Sequence, residues 1–361
     1  MIGRTLFGYF MRRYLVIVLQ FFLGVLIISY LIDFAELARR VSGLPGYSLG
    51  VAMAVSALRI PVIVQMTIPF VIMFAAMATL MALNRKYELV IARAAGVSAW
   101  QFLLPLCVGS LLIGLFMITA FNTMSARALT YSQELEASFR GGVTIADRNR
   151  LPWLRQRTDE GATIIGAVST ARRGLLLSDA TFIRFDTNGV VKERLDAEQA
   201  VLGDGAWQLT KVTRIDSDGN RSTQPTATVA STLKPEFVEE QFAAPESIPL
   251  LELDEKIEAA KSFGLSANAF SMQYHSLLAL PALLVAMTLI AATVSMRFAR
   301  LGQSAAMILG GVAAGFLLYV VTELTKAFGS AGFVPPVVAA WIPVVVAAFF
   351  GVTFLLHKED G

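Results

Sequence analysis

VAMAVSALRIPVIVQMTIPFVIMFAAMATLMAL, residues Val51–Leu83, is a run of 33 residues interrupted by one charge, Arg59, and two prolines, Pro61 and Pro69. At 1.5 Å per residue it makes about 50 Å of helix, against about 30 Å of bilayer hydrocarbon. A tilted, kinked span that protrudes from a membrane fits this length, with Arg59 near the surface. Five further apolar runs flank it: Tyr14–Ile32, Trp100–Phe121, Met272–Met296, Ser304–Leu324 and Phe333–Leu356. Each approaches or exceeds the roughly 20 residues that cross a bilayer as a helix. Arg12 and Arg13 give the first run the look of a signal peptide. Its apolar stretch is too long for one, and Asp33-Phe-Ala-Glu36 is a poor cleavage site, so it reads as an uncleaved span.

Composition points the same way. Of 361 residues, 55% are hydrophobic and only 16% charged, and the mean hydropathy is +0.62. A soluble domain sits nearer 45–50% apolar and about 25% charged. These values exclude a disordered chain and argue against an ordinary cytosolic enzyme. The net charge of +3 brings no dense basic stripe, so a nucleic-acid partner is not expected. Cys107 is the single cysteine, which rules out an intrachain disulfide or a cysteine metal site and leaves it as a small apolar filler.

Lys and Arg in short loops set the orientation. With both termini inside, the inner flanks hold Arg4, Arg12, Arg13, Arg85, Lys86, Arg93, Arg297, Arg300 and Lys358, and the outer short loops hold Arg39, Arg40 and Lys326. Both termini are therefore expected in the cytoplasm. The stretch from about Ser125 to Ser271 is expected outside, in the periplasm of a diderm bacterium.

That stretch alternates with period two instead of spanning. Thr181-Phe-Ile-Arg-Phe-Asp186 and Ala206-Trp-Gln-Leu-Thr-Lys-Val-Thr-Arg-Ile215 read as half-buried strands, with Phe182 and Trp207 facing inward. Asn188-Gly189, Asp204-Gly205 and Asp218-Gly219 separate such strands, and these dipeptides suit turns that need positive φ. An antiparallel sandwich, jelly roll or barrel follows. Leu250–Phe263 sets acids and lysines opposite Leu251, Ile257 and Ala260, and Gly264 stops it, as in an amphipathic connecting helix. The expected layout is spans one to three in residues 1–124, the β domain in 125–249, the connecting helix in 250–271, and spans four to six in 272–361.

No catalytic constellation is visible. The insert has no His or Cys, and no G-x-x-x-x-G-K-[ST] occurs, so no cofactor, metal or nucleotide site of the chain's own is expected. His275 and His357 lie at span ends without ligand partners in sequence, and interfacial packing accounts for both. The most informative short segment is Asn84-Arg-Lys-Tyr-Glu-Leu-Val-Ile-Ala-Arg-Ala-Ala-Gly-Val-Ser98. It is too polar to span and too regular for a loop, and Gly96 fits a helix end. One reading is a helix lying on the inner membrane surface. The other is a docking helix that enters a cleft on a cytoplasmic ATPase, with Arg85, Glu88, Leu89, Val90 and Arg93 as contacts and Glu88 facing an Arg or Lys.

The segment Tyr87-Glu-Leu-Val-Ile-Ala-Arg-Ala-Ala-Gly-Val-Ser98 is similar to the S-E-L-V-x-x-x-A-x-G-x-S coupling helix of the Lpt-type lipopolysaccharide-export permeases (the YjgP/YjgQ family). Pro61 and Pro69 precede it with that family's spacing. Gly329-Ser-Ala-Gly-Phe-Val-Pro-Pro336 followed by Ala340-Trp-Ile-Pro343 resembles the G-type pattern more than the F-type, and the resemblance covers essentially the whole chain. Tyr87 stands where the family usually has Ser, Asp33 where some relatives have Lys, and Ser276-Leu-Leu replaces a more basic stretch. The resemblance implies a six-span inner-membrane protein with an inserted periplasmic β-jellyroll-like domain. It implies a non-enzymatic subunit paired with a sister F-type permease and a cytoplasmic dimeric ATPase. Such a complex extracts lipopolysaccharide from the outer leaflet and passes it to a periplasmic bridge of jellyrolls.

An extractor of an anionic lipid needs cations at the outer boundary, and Arg39, Arg40, Arg59 and Lys326 are available there. The plainer account of each is helix-end anchoring by snorkelling, and Lys326 sits three residues from Glu323, close enough to pair with it. Phe182 and Trp207 are expected to line a substrate-accommodating interior. A non-transporting scaffold that couples an ATPase to a periplasmic partner is the alternative. An ion-coupled transporter fits less well, because it expects ionisable groups at mid-depth and often internal repeats.

Overall fold

The computed structural model describes residues 3–41, 48–139, 154–158, 161–171, 175–186, 189–203, 205–217, 219–231, 244–262, 266–295 and 305–359. Asn188, Asp204, Asp218, Phe263, Gly264, Met296, Arg297, Arg300 and Ser304, and the side chain of Lys358, lie outside the described residues. Met1–Arg39, Ala52–Leu129 and Pro245–Gly361 make one unit, and Arg40–Val51 with Thr130–Ala244 the other.

The first unit is helical. In chain order the helices are α1 (Arg4–Val41), α2 (Leu49–Arg85), α3 (Glu88–Ala94) and α4 (Ala99–Phe116), which continues through a π-helical turn (Met117–Phe121) into α5 (Asn122–Phe139), whose residues from Thr130 on belong to the second unit. After the β domain come α6 (Leu250–Ser262), α7 (Asn268–Ser295), α8 (Ala305–Ser330) and α9 (Pro336–Glu359). Six helices among the described residues are long and apolar enough to cross a membrane: α1, α2, α4 with α5, α7, α8 and α9. They coincide with the six apolar runs of the sequence. α2 does run on as one helix through Pro61 and Pro69.

Interhelical contact in an apolar medium favours small residues and hydroxyls, because burying Leu against Leu gains little over lipid. α4 and α7 follow this rule. A Cβ on Gly114 would meet Pro281 Cα at 2.5 Å, so only glycine permits this approach. Nearby, Ser110 Oγ bonds Thr288 Oγ1 at 2.6 Å and Tyr14 Oη at 2.7 Å, joining α1, α4 and α7 through one buried chain of hydroxyls. Among its described residues α1 otherwise buries a thin stripe, Phe10, Tyr14 and Val18 at four-residue spacing, and Leu37 near its other end, while Leu15, Leu19, Leu23, Ile27, Ile28 and Leu31 are exposed.

The inserted domain holds β1 (Leu154–Thr158), β2 (Gly161–Ala171), β3 (Leu176–Phe185), β4 (Val191–Gly203), β5 (Ala206–Asp216) and β6 (Arg221–Ala230). They form one antiparallel sheet in sequential order, a meander with no crossover among the described strands. Gly189, Gly205 and Gly219 occupy the hairpin connections with φ near +80°, the conformation expected of their Asx-Gly turns.

One sheet encloses its own core because it is creased across its strands. Pairing lapses at one level across the sheet, apart from a register shift between β3 and β4 at Arg184 and Phe185: Ala167↔Ala180 and Ser169↔Ser178 pair, as do Ala197↔Val212 and Gln199↔Thr210, with Val168, Asp179, Glu198 and Lys211 left between. Asp179 and Lys211 there take φ of 49° and 51°. The inward side chains change phase at this line: Leu177 then Ala180 and Phe182 on β3, Leu195 and Ala197 then Ala200 and Leu202 on β4, Trp207 and Leu209 then Val212 on β5. Folding along the line brings the halves of one face together around these residues. Pro225 falls at the same level on β6, where no pairing is lost by its missing N–H. The outer strands meet through side chains: Gln156 of β1 donates from Nε2 to the Ala230 carbonyl of β6 at 2.9 Å and accepts from Ser231 Oγ at 2.8 Å.

Candidate functional site

α3 is held between two local signals. Tyr87 adopts φ 59°, the left-handed turn that separates α3 from α2. At the other end Gly96, at φ +82°, donates to Arg93 O at 2.9 Å and Val97 to Ala92 O at 3.0 Å, a Schellman ending that needs a left-handed residue at Gly96. Ser98 then opens α4 with a capping box, its side chain accepting from Gln101 N while Gln101 Oε1 accepts from Ser98 N. The helix is therefore seven residues, shorter than the 84–98 read from sequence, because Arg85 still belongs to α2 and Tyr87 breaks the path.

The carboxylate of Glu88 is engaged within the chain. Arg13 Nη1 of α1 donates to Glu88 Oε1 at 2.9 Å and Oε2 at 3.1 Å, and Tyr9 Oη donates to Oε2 at 3.0 Å. Arg13 also donates to Tyr9 Oη at 2.9 Å, closing a three-residue ring of charge-assisted bonds. The cationic counterpart expected from a partner is thus supplied here by α1. Leu89, expected as a docking contact, turns inward with Ala92 one turn on and is buried. The outward face carries Tyr87 at 61% exposure, Val90 at 39% and Ile91 at 65%. Arg85 is exposed, and the Arg93 guanidinium lies 6.0 Å from the centre of the Phe102 ring.

At the far end of the same helices, Arg59 of α2 faces Asp33 of α1, Nη1 to Oδ1 at 3.6 Å. Asp33 Oδ2 is buried without a hydrogen-bond partner. Lys326 Nζ donates to Glu323 Oε1 at 3.0 Å, so these two pair as their spacing allows. Arg39 and Arg40 are exposed at the end of α1, and both make further interactions. The four candidate cations are not free charges: Arg59 and Lys326 each have an acidic neighbour.

A third element of this unit escaped sequence reasoning. Asn122, buried at the end of the π-helical turn, accepts the backbone N–H of Leu250 at 2.9 Å and so caps α6. Ser125 Oγ bonds Gln65 Oε1 at 2.8 Å. A lone Asn directly after an apolar run carries no spacing signal that could have announced this.

In the β domain, Phe182 and Trp207 stack edge to face with ring centroids 5.8 Å apart and are fully buried. They were expected to line an accommodating interior. They face inward, but the creased sheet closes over them, so they form the packed core and not an open wall. The Trp207 indole N–H has no hydrogen-bond partner. One end of the inward face is charged: Glu193, nearly fully buried, accepts from Arg184 Nη1 and, at 2.6 Å, from Arg214 Nε.

Three apolar spans, an antiparallel β insert, three further spans and a short capped helix between spans two and three define a polytopic membrane protein of transporter-subunit layout. The family described as lipopolysaccharide export system permease LptF/LptG matches residues 8–357. The lipopolysaccharide export system permease protein LptG of Haemophilus influenzae (strain Rd) is 24% identical over 347 residues, covering 92% of this chain and 93% of that protein. The chain belongs to the LptF/LptG permease family, and its likeness within it is to the G-type member.

Proposed function

We propose that the chain is the G-type permease subunit of an ATP-driven complex that extracts lipopolysaccharide from the outer leaflet of the inner membrane and passes it to a periplasmic bridge. The observation that carries this reading is the family match over residues 8–357, joined to six membrane-length helices and the β insert. The termini and α3 face the cytoplasm, as the distribution of Lys and Arg favours, and the β domain faces the periplasm. A sister F-type permease completes the membrane core, a dimeric ATPase supplies hydrolysis, and neighbouring jellyroll proteins receive the substrate.

In this reading α3 is the docking element. Its exposed Tyr87, Val90 and Ile91 form a small apolar patch with an aromatic centre, the residue types that anchor interfaces. Arg39, Arg40, Arg59 and Lys326 are the candidate contacts for anionic headgroups, Arg59 and Lys326 by exchange of their present acidic neighbours. Co-purification from membranes followed by mass spectrometry of proteins and lipids tests the whole assignment. Recovery of a second permease, an ATPase and lipopolysaccharide is expected. Recovery of the proteins without the lipid would favour a scaffold.

The packed interior of the β domain favours a second reading for that domain alone, as a docking platform and not a conduit. Photocrosslinkers at Phe182 and Trp207 decide between them. Lipopolysaccharide adducts during active transport support a conduit, and internal protein adducts only support a platform.

A further inference from the structure

Glu88 is the one acidic residue of α3 and opens that helix directly after the left-handed Tyr87. Its two oxygens are held by Arg13 and Tyr9, both from the N-terminal turns of α1. The ion pair is half-wet, with side-chain exposures of 19% for Arg13 and 26% for Glu88. An ion pair in such a setting is modest in strength and open to replacement by a better-aligned cation. Beside this contact α1 buries Phe10, Tyr14 and Val18, and Tyr14 bonds Ser110, so the bond to Glu88 is the charged one among several contacts that hold its N-terminal end.

We propose that Glu88 is an exchangeable carboxylate: Arg13 and Tyr9 hold it while α3 is unoccupied, and a cation in the docking cleft takes it when α3 engages. This rests on the docking role of α3 argued above. It commits the cleft to an Arg or Lys placed beside an apolar floor that receives Tyr87, Val90 and Ile91. It also makes docking and the release of α1 one event. Whatever binds Glu88 in trans must compete with Arg13 in cis, and by linkage anything that draws Arg13 away strengthens docking. The local backbone suits an element with two arrangements, because Tyr87 sits in a left-handed conformation that a non-glycine residue pays for.

The test is the affinity of the purified ATPase for the full-length permease pair in lipid nanodiscs. Arg13→Gln with Tyr9→Phe removes the internal competitor and should tighten binding about fivefold, the scale of a part-exposed ion pair. In a Glu88→Gln background the same two changes should have no effect, since nothing remains to exchange. Unchanged or weaker binding by the Arg13→Gln/Tyr9→Phe permease overturns the proposal. If that variant does not assemble, Tyr9→Phe alone reads the same direction at smaller size, and its failure to tighten binding is equally decisive. Ile91→Asp distinguishes docking from exchange: if it leaves ATPase affinity untouched, α3 is not the docking element, whatever Arg13 does.

Discussion

Asp33 shows how little slack a single carboxylate has inside a helical membrane unit. One of its oxygens lies 3.6 Å from Arg59, beyond ordinary hydrogen-bond length, and the other is buried and unbonded. A buried carboxylate that loses its cation is costly, whereas removing both charges together is often nearly neutral. Arg59→Gln is therefore expected to destabilise the detergent-solubilised protein by about 1–3 kcal/mol. The double change Asp33→Asn/Arg59→Gln should recover most of that loss. Thermal unfolding of the three proteins measures it. Equal losses in the single and double variants would mean that the pair contributes no coupling. Neither this pair nor that of Arg13 with Glu88 was legible in the sequence, because the partners lie 26 and 75 positions apart and each reads locally as a helix-end charge. What spacing did reveal was the local kind of contact, Lys326 with Glu323 three residues away.

Among elements, the membrane spans were the easiest to read and the folding of the sheet the hardest. A run such as Val51–Leu83 has no alternative partner for its apolar surface, so length alone assigns it. Strands β3 and β5 announced themselves by alternation and their turns by Gly189, Gly205 and Gly219. The crease did not, because its only trace is a slip of one residue in the alternation, as between Leu209 and Val212. Lys211 is the informative position. It takes φ 51° while its side chain reaches Glu198 at 2.7 Å on the outside, where such a pair adds little. The left-handed region costs an L-residue roughly 1–2 kcal/mol and glycine nothing, and a β-branched residue suits it least. Lys211→Val should accordingly be less stable than Lys211→Gly by about 1–2 kcal/mol, read as a difference in unfolding temperature of the β domain within the full chain. Indistinguishable variants would show that this residue is not held in a left-handed conformation.

For the molecule as a whole, layout was legible and the site only in part. Six spans around a β insert follow from hydropathy and periodicity. The short helix after α2 was visible in the sequence, but the face it offers was not. Leu89 and Val90 are neighbours in sequence, yet one is buried and the other exposed, a distinction set by the turn at Tyr87 and the packing of Ala92. The basic residues at the end of α1 are assigned by charge and position alone. Replacing Arg39 and Arg40 together with Glu should lower lipopolysaccharide co-purification several-fold, and with it substrate-stimulated ATPase activity of the assembled complex. On the proposed headgroup role, charge-assisted contacts to phosphate would be lost and repulsion would replace them. Unchanged lipid recovery in a folded variant would assign both residues to anchoring.

Twenty residues separate Arg13 from Asp33 along α1, about 30 Å of helix. Two of the ion pairs that tie this helix to its neighbours are therefore set apart by the depth of an average hydrocarbon layer. A rod fastened at both ends works as a gauge of thickness. It can tilt to suit a thinner bilayer but cannot lengthen for a thicker one, where one of the fastened charges is drawn beneath the surface. Transport in proteoliposomes of increasing acyl-chain length should hold up to a matching thickness and then fall. A protein carrying Asp33→Asn/Arg59→Gln, which lacks the second of these ion pairs, should tolerate a greater thickness before transport falls. A length profile identical in the two proteins would show that the membrane, and not this helix, sets the limit.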